Sequence, residues 1–293
     1  MKFVTFRHSG GAHVGVLTED EAKVVDLTAA GLAGDMLALI AQYPAKREAL
    51  RAAMAGTGLP LAQVELLAPI PTPLRNIFCV GKNYYEHAVE FGASGFDSGS
   101  IGGTEVPNEP IIFSKPPSSV IGPGAAIEST LDPHASVDYE AELAVVIGKG
   151  GRVTAADDPM SFVFGYTILN DVTSRELQKR HKQWLLGKGI DTFAPMGPAI
   201  VTADAVADVR SLTIELWVNG ELRQSAAVKD LIFDIPTLIR TIGRSISLQP
   251  GDIIATGTPV GVGIGFNPPK YLKPGDVVRI AVSSLGVLEN PVS

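Results

Sequence analysis

Through the first 27 residues, apolar and polar side chains alternate in three short runs, KFVTFR (2–7), HVGVL (13–17) and KVVDL (23–27), parted by Gly-Gly and Glu-Asp turns. A two-residue period of this kind predicts a small β-meander. The period then changes. Met36, Leu37, Leu39 and Ile40, then Leu50, Ala53 and Met54, recur at three and four residues, and Pro44 between the groups predicts two short helices. Three prolines in alternate places over 68–73 exclude helix and make a stiff connector. A boundary is expected there, between a small α/β domain over 1–70 and a larger one over 74–293.

Past the connector, 77–80 reads as a strand, Gly81 as a turn, and Asn83 as the N-cap of a short helix ending at Gly92. Residues 93–108 are rich in Gly and Ser and predict a mobile loop, so helix and loop together read as a lid. A strand over 162–169 ends in Asn170-Asp171, and Thr173 or Ser174 can cap a helix reaching about Lys182. Residues 212–224 form two alternating runs around Asn219-Gly220, the signature of a type I′ hairpin. A helix over 235–242 follows, with Pro236 in its first turn. Two similar turns, QPGD at 249–252 and KPGD at 273–276, each launch a Val/Ile strand. Strands dominate, which places the chain in the α+β, mainly β class.

One stretch carries more charge than a strand should. In VDYEAELAVVIG (137–148) the alternation puts Asp138, Glu140 and Glu142 on one face, before a continuous apolar run that reads as core. Carboxylates at successive same-face positions, about 6 to 7 Å apart, repel by about 2.5 kcal/mol at an effective dielectric near 20. Water on an exposed face would relieve this, and so would a hard divalent cation bound through oxygen. From the strand alone both remain open.

Composition narrows the function class. The formal charge is −7, and no Lys/Arg cluster is longer than the run at 179–182, so neither nucleic acid nor a membrane surface is an expected partner. The single cysteine, Cys79, excludes a disulfide framework and a Cys-rich zinc site. No run of 18 apolar residues occurs, and the expectation is a soluble, cytoplasmic protein.

Three further features are chemically suggestive and individually weak. His87 and Glu90 share a helix face, where a carboxylate can orient an imidazole for proton transfer, although a solvated surface pair has the same spacing. Lys188, in LLGKGIDTF, can meet a carboxylate or enolate, or simply lie in solvent. The stretch TGTPVGVG (256–263) could bring backbone N–H groups to an anion. It lacks a P-loop ending, however, and on its own reads as a structural turn.

In combination, Gly81-Lys-Asn-Tyr84 with His87 and Glu90, Asp138-Tyr-Glu-Ala-Glu-Leu143, Asn170-Asp171 with Arg175 and Gln178, 184–188 with Asp191-Thr-Phe, and Gly257-Thr-Pro-Val-Gly-Val-Gly263 strongly resemble the fumarylacetoacetate hydrolase family, in its bacterial acylpyruvase and diketo-sugar-acid hydrolase branch. The likeness covers about 74–290. It implies a mixed β-sheet roll preceded by a small α/β domain, usually in a homodimer. It also implies one Mg²⁺ or Mn²⁺ per chain on Glu140, Glu142 and Asp171, with Asp138 at a non-ligand position. His87 and Glu90 match a water-activating pair, Lys188 a catalytic cation, and Gln178, Thr258 and Gly257 contacts to a small anionic 2-oxo acid. Gly189 departs from the Ser or Thr of many relatives. The implied reaction is metal-dependent hydrolysis of a carbon–carbon bond in a 2,4-dioxo acid, such as fumarylpyruvate or a 2,4-diketo-3-deoxy sugar acid, as in aromatic catabolism. The alternative is decarboxylation of oxaloacetate, or isomerisation or decarboxylation of an unsaturated 2-oxo diacid, through the same metal-bound enolate.

Overall fold

The computed structural model describes residues 1–93 and 106–293. The fold is mainly β with few helices. Its main path of strands runs Leu59–Pro60, Lys23–Asp26, Gly11–Leu17, Lys2–His8, Ala194–Thr202, Val163–Asn170, Ala141–Ile147, Ile253–Ala255, Ile77–Gly81 and Ile111–Lys115. These neighbours are antiparallel except Ile253–Ala255 and Ile77–Gly81, which makes the sheet mixed. The amino-terminal meander joins this sheet directly, with Lys2 opposite Val201 and Phe3 opposite Ile200. A second, antiparallel sheet orders Glu221–Ala227, Thr213–Val218, Val277–Val282 and Gly286–Pro291.

Strand Ala141–Ile147 is buried along its whole length because both its faces are covered. Leu143, Val145 and Ile147 point into a core shared with Ile214, Leu216, Val278 and Ile280 of the second sheet. Ala144 and Val146 point the other way, into a core shared with Met36, Leu39 and Ile40. A strand packed on both faces must be apolar throughout, which accounts for the run after Glu142.

Two local expectations are corrected. Residues 36–54 do not form two helices; Met36–Ala53 is one helix with Pro44 inside it, capped by Asp35, whose carboxylate accepts the Ala38 N–H at 2.7 Å. Proline in a helix interior costs about 3 kcal/mol. Burial of Met36, Leu39, Ile40 and Leu50 contributes roughly 1.5–3 kcal/mol for each side chain and outweighs that cost. Tyr43, next to the proline, packs edge-on against Phe164 at 5.1 Å. Secondly, Asn83 does not cap the helix Tyr85–Ala93. Its side-chain amide donates to Phe233 O at 3.0 Å and Thr256 O at 2.7 Å and accepts Phe233 N–H at 2.7 Å. Three bonds to distant backbone satisfy the amide and tie the helix entrance to two other segments. Most of the loop expected over 93–108 lies outside the described residues.

The hairpin and its turn follow the sequence pattern: Asn219 and Gly220 both have positive φ, 53° and 80°, as a type I′ turn requires.

Candidate active site

Register brings the carboxylates together. Ala141 pairs with Asn170 and Glu142 with Leu169, Asn170 Oδ1 accepts the Glu140 N–H at 3.0 Å, and the Asp171 N–H donates to Glu140 O at 2.8 Å. Asp171, just past its strand, therefore stands beside Glu140. Glu140, Glu142 and Asp171 each present an oxygen within 4.8 Å of the others, and all three are buried. Asp138 is not part of this group. The strand breaks after Val137–Asp138 and resumes at Ala141, so strict alternation fails there. Asp138 turns to the N–H groups of Gly263 (2.6 Å) and Ile264 (3.0 Å) and to Arg175 Nε (2.8 Å).

Three buried cations answer these acids. Lys188 Nζ lies 2.7 Å from Glu140 Oε2 and 2.7 Å from Asp171 Oδ2. Lys115 Nζ donates to Asp171 Oδ1 at 2.7 Å and to Val172 O at 2.9 Å, and it also bonds Lys188 O. Arg175 Nη1 lies 2.7 Å from Glu140 Oε1. Neither Lys115 nor the ion pairs of Arg175 were evident from the sequence. The only hint was a lysine ending a strand in IIFSKP, where a solvated end is the ordinary reading. Relief of the like charges thus comes partly from the protein itself.

The relief is uneven. Burial alone would raise the Glu140 carboxyl, but Lys188 and Arg175 outweigh it and hold it down to about 2. Glu142 receives the Gly257 N–H at 2.8 Å and makes no ion pair among the described residues. Burial first, and then Asp171 and Glu140, push its carboxyl well above the ordinary range. Burial acts against the Lys188 ammonium, yet Asp171 and Glu140 keep its pKa raised. For Lys115 burial prevails and lowers the pKa. A buried carboxylate destabilised by two others is what a hard divalent cation relieves, and an all-oxygen donor set suits Mg²⁺ or Mn²⁺. The residues fit such an ion.

A small cavity opens onto this group. Its lining includes His87, Gln178, Lys188 and Thr258 of the expected site residues, together with Glu140 and Arg175. His87 Nδ1 lies 3.3 Å from Glu90 Oε2, and Glu90 in turn accepts the Gly261 N–H at 3.1 Å. Gln178 Oε1 accepts from Arg175 Nη1 at 3.2 Å, and Thr258 Oγ1 accepts from Gln224 Nε2 at 2.8 Å. Phe91, Phe113 and Trp184 form apolar wall. Arg175 Nη2 is buried with no hydrogen-bond partner among the described residues, a donor available to an anion in the cavity.

The glycine-rich stretch after Thr256 acts as a turn that serves acids already in the protein. N–H groups of Gly257, Gly261 and Gly263 go to Glu142, Glu90 and Asp138 respectively. Gly257 thus gives its N–H to Glu142. Gly261 has φ of 104°, and a Cβ there would fall 1.9 Å from Arg223 O, so no other residue fits. Gly189 is similarly confined, since a Cβ there would lie 2.8 Å from both Leu185 O and Pro116 Cδ. Cys79 is fully buried in its strand, and burial raises its thiol pKa.

The chain is similar to several known proteins. The family model for the fumarylacetoacetate (FAA) hydrolase C-terminal region matches 76–293, and the Rv2993c-like N-terminal model matches 1–69. The chain is 47% identical over 232 residues to the oxaloacetate tautomerase YisK of Bacillus subtilis, covering 79% of this chain and 74% of that protein. It is 42% identical over 301 residues to the human mitochondrial oxaloacetate tautomerase FAHD2A, covering 100% of this chain and 91% of that protein. A crystal structure of maleylpyruvate hydrolase from Sphingobium sp. SYK-6, with manganese(II) and pyruvate, superposes with a TM-score of 0.79 at 36% identity, covering 100% of this chain and 98% of that one. Among the described residues, no helix is long and apolar enough to cross a membrane.

Proposed function

Because the chain belongs to the fumarylacetoacetate hydrolase family, we propose that it is a divalent-cation-dependent tautomerase of oxaloacetate, moving a proton between C3 and the 2-oxo oxygen. Two readings were open from the sequence, hydrolysis of a 2,4-dioxo acid, and decarboxylation of oxaloacetate or isomerisation or decarboxylation of an unsaturated 2-oxo diacid; the relatives named oxaloacetate tautomerase favour the second in its substrate, with a reaction the sequence reading did not name. Tautomerisation passes through the same enolate by proton transfer alone. The observation that carries the reading is a buried group of three carboxylates that reaches a cavity through Glu140, with the Lys188 ammonium and the unbonded Nη2 of Arg175 beside it. Such a site stabilises negative charge developing on an oxygen and requires no attacking water.

Glu140, Glu142 and Asp171 would hold the cation, which supplies Lewis-acid polarisation of a 2-oxo oxygen. The rest falls to side chains. Glu90 faces Nδ1 of His87 at 3.3 Å and so fixes the ring with Nε2 as the nitrogen that exchanges a proton. His87 takes a proton from C3; the C–H electron pair becomes the C2–C3 double bond, the carbonyl π pair moves to the oxygen, and that oxygen takes the proton back from the His87 imidazolium, which restores the neutral base. Lys188 and Arg175 supply preorganised positive charge to that oxygen in a site with little water. Phe91, Phe113 and Trp184 limit the space around the reacting carbons.

The test follows the ultraviolet absorbance of enol-oxaloacetate with enzyme and Mn²⁺, and again with chelator. Faster, metal-dependent decay without pyruvate release supports the proposal. Cleavage of acetylpyruvate or fumarylpyruvate, with oxaloacetate unaffected, would restore the hydrolase.

A further inference from the structure

Lys115 stands behind the site rather than in it. It ends strand Ile111–Lys115, is fully buried, and does not line the cavity that Glu140 and Lys188 line. A lysine ammonium has three protons to donate, and here each has an acceptor: Asp171 Oδ1 at 2.7 Å, Val172 O at 2.9 Å, and Lys188 O. None is left for a substrate. The acceptors belong to two separate segments. Asp171 and Val172 follow strand Val163–Asn170, and Lys188 ends the four-residue helix Leu185–Lys188, where a last-turn carbonyl has no partner within its own helix. Gly189 lets the residue after Lys115 come close to that helix end, since a Cβ on Gly189 would lie 2.8 Å from Pro116 Cδ. The two oxygens of Asp171 are thereby divided, Oδ1 to Lys115 and Oδ2 to the Lys188 ammonium. Buried ion pairs are poor sources of stability, and the best-attested use of one is to fix an arrangement.

We propose that Lys115 is a positioning residue: it holds the Asp171 carboxylate by one oxygen and the Lys188 backbone by its carbonyl, and so sets a cation ligand and the Lys188 ammonium at a fixed separation. The inference rests on the reading of Glu140, Glu142 and Asp171 as cation ligands, and not on the choice of substrate. Lys115 and Lys188 differ in what their loss should do. The Lys188 ammonium bridges Asp171 Oδ2 and Glu140 Oε2 and so competes with a cation for them. Lys115 takes the other oxygen of Asp171 and leaves Oδ2 on the side of Glu140. Removing a partner that orients a metal ligand costs about 10- to 100-fold in metal affinity or activity. Removing a nearby positive charge that orients nothing does the opposite and tightens the metal.

The test is a calorimetric Mn²⁺ titration, with electron paramagnetic resonance of the bound ion, on the wild-type protein, Lys115→Met and Lys115→Gln. Methionine keeps the length of the side chain without its charge or donors, and glutamine keeps two donors. Melting in chelator shows which variants fold, and one folded variant is enough to decide. Lys115→Met should weaken Mn²⁺ binding about ten-fold or more and change the resonance spectrum, which reports the symmetry of the ligands. Lys115→Gln should fall between it and wild type. A folded variant with unchanged or tighter Mn²⁺ binding overturns the assignment, because Lys115 would then be plain packing or a competing charge. Failure of both variants to fold overturns it as well, by making Lys115 a requirement of the fold. No turnover is read, so inert oxaloacetate would refute the tautomerase and leave this result standing. Wild-type protein that binds no Mn²⁺ would refute the cation site and the role of Lys115 together.

Discussion

Lys188 Nζ bridges Glu140 Oε2 and Asp171 Oδ2 at 2.7 Å each, so one ammonium is shared by two of the three carboxylates that would hold a cation. In the proposed mechanism Lys188 would have two opposed effects, charge stabilisation of the substrate oxygen and competition with the metal for the same acids. Lys188→Met should lower kcat by about 10² to 10³, the scale of removing one preorganised oxyanion partner. Mn²⁺ affinity should at the same time hold or tighten, since a competing positive charge has gone. Calorimetric Mn²⁺ titration beside steady-state kinetics checks both, and lost metal binding would show that Lys188 instead builds the site.

Glu142 should set a distinctive dependence of stability on pH. Its carboxyl is raised in the folded protein, by burial and then by Asp171 and Glu140, so the folded state binds the extra proton. Stability from this group is therefore full below the ordinary carboxyl pKa of 4.5 and is lost as pH rises toward the folded value. In the metal-free protein, Glu142→Gln should be the more stable form, by a margin that grows above that pH. Melting curves of the two proteins in chelator, across the pH range, measure the margin. A constant difference would mean that Glu142 is not held protonated. With Mn²⁺ added the order should reverse, because the variant has lost a ligand.

His87→Ala should reduce proton transfer by about 10² to 10⁴, the usual contribution of a positioned acid or base, with Mn²⁺ affinity nearly unchanged. Glu90→Gln should fall less, because it orients the ring without touching C3. The comparison needs kcat with oxaloacetate and a Mn²⁺ titration. Full activity in His87→Ala would assign the base elsewhere.

Much of the site was readable from local spacing, and the remainder was not, for physical reasons. Glu140 directly precedes the strand that holds Glu142, and His87 and Glu90 lie on one helix, so each pair is close in sequence and its pattern is visible there. Lys115 reaches Asp171 across 56 residues of sequence, and its charge in an apolar strand has no local meaning. Asp138 misled, because the strand breaks between it and Ala141. The helix through Pro44 was also hidden, since Tyr43, Phe164 and Phe3 come together only in the folded chain.

Gly261→Ala should impair both stability and catalysis. With φ of 104° and Arg223 O 1.9 Å from the added Cβ, the turn must move and release Glu90 from the Gly261 N–H. A loss of about 2 kcal/mol or more is expected for forcing a side chain into such a position, measured by urea denaturation. At temperatures where the variant is folded, kcat should fall toward that of Glu90→Gln; unchanged kcat would detach the turn from Glu90 orientation.

The most direct measurement of the central claim is proton NMR of oxaloacetate in D₂O with Mg²⁺-loaded enzyme, resolving both C3 proton exchange and products. The tautomerase account requires accelerated exchange and keto–enol interconversion, abolished by chelator and by His87→Ala, with pyruvate formed no faster than without enzyme. Pyruvate and carbon dioxide released in step with oxaloacetate loss would make the protein a decarboxylase. No effect on oxaloacetate, together with cleavage of an acylpyruvate, would make it a hydrolase; either result contradicts the account.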